Sequence, residues 1–186
     1  MNEISTDFFR LIKIRKSVRK FDPRPVEKEK IEKILECDRL APSWANGQCW
    51  EFIVVSEERK KKQLAKAAGL LNRWICKAPI ILVACADPSR SGVWNKMEYF
   101  LVDVGIALEH AVLAATALGL GACWVGYFKE SEVKKALRIP EKIRVVALCP
   151  VGYPAQKLSL QEKLIRFIAR SKKRKPLNQM IHYEKW

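Results

Sequence analysis

The sequence predicts a single α+β domain, and three observations carry that prediction. The chain has 186 residues, 49% of them apolar, which is enough for folding to hide roughly 70% of the unfolded surface around one core. Segments with helical and strand-like apolar patterns alternate along it. No internal repeat, low-complexity tract or interdomain linker interrupts the alternation.

Thr6 to Ser17 reads as a first helix, with Phe8, Phe9, Ile12 and Ile14 apolar and Ser5 or Thr6 as N-cap. Asp22-Pro23-Arg24-Pro25 breaks it. Val26 to Leu40 restarts with Ile31, Ile34 and Leu35 at helical spacing. Ala41 to Trp50 is a turn-rich loop holding Pro42, Asn46 and Gly47. Phe52 to Val55 is a short strand, and Glu57 to Leu70 is a basic helix. Ile80 to Ala86 is apolar throughout, as a strand covered on both faces should be. Asn95 to Leu118 is the longest helical stretch, apolar nearly all round, and so belongs in a core or a subunit interface. Gly119 and Gly121 stop it. Ala122 to Tyr127 and Arg144 to Val151 read as strands on either side of a helix from Ser131 to Leu137. Finally, Ser159-Leu160-Gln161-Glu162 is a capping box, and Leu164, Ile165, Phe167 and Ile168 follow it. It predicts an amphipathic helix over Ser159 to Arg170, inserted within one domain of residues 1–186.

Composition excludes several classes. The apolar run Tyr99 to Leu118 is interrupted by Asp103, Glu109 and His110, so it is no plain transmembrane helix. Met1 to Asp7 carries Glu3 and Asp7 and lacks the apolar core of a secretory signal. A soluble, cytoplasmic protein with no membrane partner is expected. Six cysteines form no C-x-x-C pair, against a zinc site or a dithiol redox centre. Cys85, Cys123 and Cys149 sit in apolar runs and read as small hydrophobes.

The formal net charge of +15 brings nucleic acid or an anionic ligand to mind. Between Lys157 and Trp186 nine Lys/Arg face only Glu162 and Glu184, and Lys13 to Arg24 is opposed only by Asp22. Two such clusters could meet around one anion, or could simply keep the surface solvated.

The chain contains no G-x-G-x-x-G, Walker loop, H-E-x-x-H or G-x-S-x-G. Of its two histidines, His110 lies in the apolar helix and reads as a core or interface imidazole, and His182 lies near the end of the chain. Chemistry here would be borrowed from a cofactor. Three segments offer binding groups. Arg15-Lys16-Ser17-Val18-Arg19-Lys20-Phe21 places guanidiniums, ammoniums and a hydroxyl at a helix end, donors suited to a phosphate and its polyol. Pro42-Ser43-Trp44-Ala45-Asn46-Gly47-Gln48 offers amides that both donate and accept, as the edge of a heterocycle requires. Gly119 to Tyr127 turns from helix to strand with small residues, which lets backbone approach a flat ligand.

In combination and order, these pieces resemble the nitroreductase family of FMN-dependent oxidoreductases. The matching stretches are RKSVRKF, APSWANGQCWEFIVV, DVGIALEHAVLAATALGLGACWVG, VGYP and KRKPLNQMIHYEKW. The resemblance implies an intertwined homodimer of α+β subunits, each built on a mixed or antiparallel sheet flanked by helices, with FMN at the interface. Arg15, Lys16, Ser17 and Arg19 would contact phosphate and ribityl. Pro42, Ser43, Asn46 and Gln48 would reach the flavin of the partner subunit. Val125, Gly126 and Tyr127 would lie by the flavin N5, and Lys172 and Arg174 would complete the phosphate site. No metal and no side-chain acid or base is implied. NADH or NADPH would deliver hydride to FMN, and a nitroaromatic, quinone or related small acceptor would then be reduced in the same place. Reductive dehalogenation and flavin destruction are the specialised alternatives, and a colourless, basic nucleic-acid binder is the contrasting class.

Two departures stand out. Residues 155–171 intervene between VGYP and the R-x-P tail, where they would either shape the acceptor channel or only cover apolar surface. His110 occupies a position where relatives commonly carry an amide.

Overall fold

The structure is a computed structural model that describes residues 3–156 and 174–186. It divides into two compact units, residues 1–155 and 156–186. The expected helix over Ser159 to Arg170 and the Lys172 side chain lie outside the described residues.

In the first unit α1 spans Glu3–Ile14 and α2 Lys28–Arg39, followed by β1 over Trp50–Val55 and α3 over Glu58–Ala67. A run of 3-10 turns over Leu70–Lys77 leads into β2, Ile80–Ala86. A two-stranded hairpin, β3 (Val93–Trp94) and β4 (Met97–Glu98), precedes α4, Tyr99–Ala117. The short β5 (Gly121–Ala122), α5 (Glu130–Leu137) and β6 (Arg144–Gly152) complete the unit.

Four strands form one antiparallel sheet in the order β1-β2-β6-β5. Every residue of β2 is buried, and its alternation explains how. Ile80, Leu82, Ala84 and Ala86 point into the core beneath α2 and α4, with Ile34, Val104, Leu108 and Ala111. Ile81, Val83 and Cys85 point to the opposite face, among Leu64, Ile75 and Val133 of the α3–α5 side. Each large aliphatic side chain withdrawn in this way stabilises the fold by about 1.5–3 kcal/mol relative to exposure. The α+β class and the antiparallel sheet are as the sequence predicts.

Several boundaries differ, most of them for a tertiary reason. The first helix stops at Ile14, three residues short of the predicted Ser17, because the chain beyond it pairs with the sheet. The first strand begins at Trp50 rather than Phe52, because Trp50 opposes Ala86. The long helix begins at Tyr99 rather than Asn95: Asn95 (φ 49) and Lys96 (φ 63) form the two-residue turn of the hairpin. Its end is as expected. Gly119 adopts φ +75, and the amides of Gly119 and Leu120 return to the carbonyls of Thr116 and Ala115 at 3.1 and 2.8 Å. These bonds satisfy carbonyls that the helix end would otherwise leave unpaired. The predicted strand over Ala122 to Tyr127 shrinks to β5, with Val125 making only an isolated bridge to Leu148.

By length and composition α4 could cross a membrane, yet Phe100, Val104, Leu108, Val112 and Ala115 are buried within this unit. In the second unit, 3-10 turns over Leu177–Gln179 are followed by a stacked His182–Trp186 pair, with ring centroids 4.7 Å apart.

Candidate functional site

The basic segment is not the helix end that the sequence predicts: beyond Ile14 it leaves the helix and makes isolated bridges, Ser17 with Ala122 and Phe21 with Pro154. Arg15 to Asp22 runs beside the sheet: the Val18 amide donates to the Ala122 carbonyl at 2.9 Å and the Asp22 amide to Tyr153 at 2.8 Å. Ala155 donates back to Lys20 at 3.0 Å. Val18 and Phe21 are drawn into a small apolar cluster with Ala78, and burying them is what a continued helix would forfeit. Gly121 is obligatory for this docking, since a Cβ there would lie 2.4 Å from Val18 Cγ2. Of this segment, Arg15 and Ser17 border a cavity, whereas Val18 and Phe21 are buried.

Arg15 and Ser17 thereby form one wall of a cavity of about 380 Å³, within the usual range for small-ligand sites. Glu109 and Val112 of α4 form a second wall, and Ala122, Cys123 and Trp124 a third. Arg15 Nε lies 3.9 Å from Glu109 Oε1. Partial desolvation pushes the half-exposed Glu109 carboxyl above its usual range, opposed by the Arg15 charge, and an ion pair this long and this exposed contributes little. Arg19 Nη1 is buried with no hydrogen-bond partner among the described residues. A buried guanidinium nitrogen in that state is an unmet demand for an acceptor.

The amide loop does not line this cavity. Its 3-10 turn, Trp44–Asn46, contains non-glycine residues in the left-handed region: Ala45 (φ 46), Asn46 (φ 56) and, just beyond, Gln48 (φ 45). Each costs about 1–2 kcal/mol, so the surroundings must impose the shape. Gln48 N–H donates to Ser43 Oγ at 2.9 Å, and Gln48 Nε2 to Asn46 Oδ1 at 3.0 Å. Gly47 is wedged where a Cβ would meet the Arg90 carbonyl oxygen at 1.9 Å. The Trp44 amide donates to the buried Asp103 carboxylate of α4 at 2.8 Å, and the indole of Trp44 packs on Tyr99, with centroids 4.2 Å apart.

Comparison with known proteins agrees with this layout. The sequence profile of the nitroreductase family matches residues 12–72 and 65–153, a span that holds the basic segment, the amide loop and all three cavity walls. The chain belongs to the nitroreductase family. A relative from Archaeoglobus fulgidus, provisionally named NADH dehydrogenase/NAD(P)H nitroreductase, is 35% identical over 95% of this chain and 97% of its own. The FMN reductase [NAD(P)H] of Bacillus subtilis is 31% identical over 80% of this chain and 66% of its own. A nitroreductase family protein of Clostridium difficile 630 superimposes over the whole of both chains with a TM-score of 0.81 at 30% identity.

Within this family member the other sequence-derived candidates do not line the cavity. Pro42, Asn46, Gln48 and Lys16 are exposed, and Ser43 is half-buried. Val125 is buried and Gly126 exposed, while Tyr127 is 77% exposed. Arg174 is exposed in the second unit. His110 is structural, as expected: its Nδ1 lies 3.2 Å from the Cys37 carbonyl and joins α4 to α2. Cys85, Cys123 and Cys149 are buried, and burial pushes the Cys85 thiol up to about 12, so it is inert.

A larger cleft of about 760 Å³ between α3 and α5 contains none of the candidates. Its walls are mostly charged, with Arg59 and Lys60 paired to Glu57, and Ala136 and Leu137 are its apolar residues. Motif reading missed Glu109 and Asp103 as site groups. For Asp103 the signal was present, because a carboxylate inside an apolar helix is rarely buried without a task or a partner.

Proposed function

We propose that this nitroreductase-family chain is an FMN-dependent oxidoreductase that uses NADH or NADPH to reduce a small acceptor, nitroaromatics and quinones being the first candidates. Bound FMN would supply the redox chemistry, taking hydride from the nicotinamide and passing the electrons on in a second half-reaction. The observation that carries the reading is the cavity that joins Arg15 and Ser17 to Ala122–Trp124, supported by the orphaned nitrogen of Arg19. A guanidinium and a hydroxyl on the cavity wall, with the Arg19 guanidinium two residues on, fit a phosphate and the polyol beside it. Lys16, and Lys172 and Arg174 of the tail, would add cationic charge to that site.

Val112 and Trp124 would keep water from a flat ligand, and the small side chain of Ala122 would let it approach the backbone. Backbone near Val125, Gly126 and Tyr127 would border the reacting edge. No side chain need donate or remove a proton in this scheme.

Because Pro42, Ser43, Asn46 and Gln48 stand away from the cavity, we assign them to the flavin of a second copy, in a homodimer. Exposed Phe8, Phe9, Ile12 and Ile14 of α1 and Leu101 and Val102 of α4 are apolar surface of the kind a subunit interface covers. A cytoplasmic setting is consistent with six free cysteines.

The purified protein should be yellow, and its apoprotein should bind FMN more tightly than riboflavin, which lacks the phosphate. NAD(P)H should bleach the colour and a nitroaromatic or quinone should restore it. A colourless protein that takes up neither flavin, or one that binds both equally well, would overturn the reading.

A further inference from the structure

The Asp103 carboxylate sits at the junction of three segments that are separate in sequence. One oxygen, Oδ1, accepts from the Trp44 backbone amide at 2.8 Å. The other, Oδ2, accepts from the Ser91 hydroxyl at 2.7 Å and from the Cys49 thiol at 3.5 Å. Asp103 is 2% exposed, and no Lys or Arg pairs with it among the described residues. Cys49 stays a donor, because burial and the adjacent Asp103 charge push its thiol up to about 11.

Trp44 and Cys49 bracket the loop that carries Asn46 and Gln48. Both ends of a strained turn are therefore fastened to one rigid point on α4, and Ser91 ties in the segment leading to the hairpin. Gly92 packs directly under the Trp44 indole, where a Cβ would lie 2.3 Å from Nε1, so the same segment also supports the loop from below. Inside the loop the bonds run only between its own members, and these cannot orient it relative to the core.

We propose that Asp103 is the positioning residue of the flavin site: its three accepted hydrogen bonds hold Asn46 and Gln48 in the geometry needed to engage the edge of a flavin ring. The assignment rests on the FMN reading above. Asparagine is nearly isosteric but offers one acceptor and a donor, so Asp103→Asn keeps the bulk and loses part of the anchoring.

The experiment compares wild type and Asp103→Asn by titrating each apoprotein with FMN and with riboflavin. Amide hydrogen exchange is followed in parallel. Loosening a loop that meets only the ring should weaken both flavins together, by tenfold or more, and leave the FMN/riboflavin ratio unchanged. The visible spectrum of the bound flavin should shift, and the Trp44 amide should exchange at least tenfold faster while the α4 amides keep their protection. A purely structural role would lower the melting temperature but leave the spectrum and the affinities of the folded fraction as in wild type, and that result overturns the proposal. If Asp103→Asn does not fold, Ser91→Ala removes one donor and must raise Trp44 exchange and weaken both flavins in the same sense, or the proposal fails. Wild type that binds no flavin defeats the FMN reading instead, and is recognised by the wild-type titration alone.

Discussion

At the scale of single residues, two charged groups have definite consequences. Arg15 reaches the cavity with only a 3.9 Å contact to Glu109, so its charge is available to an anion. Arg15→Ala should weaken FMN binding by about 1.5–3 kcal/mol, the range for hydrogen bonds to charged groups. It should leave riboflavin nearly untouched, which parallel titrations would show. Asp38 is 1% exposed beneath α4, with no hydrogen-bond partner for either oxygen among the described residues. Burial pushes its carboxyl from 3.8 up to about 8. The folded state thus favours the protonated acid. Its stabilising contribution is complete below the unfolded value and is lost as pH rises through about 8. At about 1.4 kcal/mol per unit, the loss is on the order of 3–5 kcal/mol. Asp38→Asn, which cannot ionise, should therefore flatten the fall in urea midpoint between pH 4 and pH 8. Parallel midpoint curves for the two proteins would contradict this.

At the scale of elements, the site depends on a segment that local sequence marks as helix. Arg15 to Phe21 carries good helix formers, and nothing local forbids another turn. The pull comes from Ala122, which takes the Val18 amide, and from the apolar cluster that takes Val18 and Phe21. Gly121 decides whether that docking is possible. Gly121→Ala places a methyl 2.4 Å from Val18 Cγ2, so it should push the segment off β5 at a cost of about 1–3 kcal/mol, the range for overpacking a tight core. Because the segment carries Arg15 and Ser17, flavin affinity should fall with stability. A folded variant with unchanged affinity would show that the segment is not what positions the phosphate donors. The cap at Gly119 differs in kind: its φ of +75 is a local demand that the sequence already displays.

At the scale of the molecule, the first unit leaves two kinds of surface uncovered. The outer edge of β1 has no neighbouring strand among the described residues, and such edges invite pairing. Phe8, Phe9, Ile12 and Ile14 are each about half exposed on a single helix. In the second unit Leu177, Met180, Ile181, Tyr183 and Trp186 are exposed as well. If a second copy covers these surfaces, sedimentation at micromolar concentration should give a dimer. Deleting Ile181 to Trp186 should then reduce both dimerisation and flavin content. A flavin-loaded wild-type monomer would exclude this arrangement.

The division between what the sequence decides and what tertiary structure decides follows the range of the forces involved. The all-apolar run Ile80–Ala86, the helical spacing of Ile31, Ile34 and Leu35, and the Gly119 stop are written locally, and each forms the element it predicts. The order and spacing of the R-x-S-x-R, P-S-x-x-N-x-Q and G-L-G-x-x-W segments carry the family relationship without reference to coordinates. By contrast, the backbone state of Arg15 to Asp22 and the shortening of Ala122 to Tyr127 depend on pairings with residues far away in the chain. So does the grouping of Arg15, Ser17 and Glu109 around one cavity and of Trp44, Cys49 and Ser91 around Asp103. A hydrogen-bond donor or a methyl group has no preference for a partner ninety residues away until the sheet has brought the two together, and only the folded chain does that.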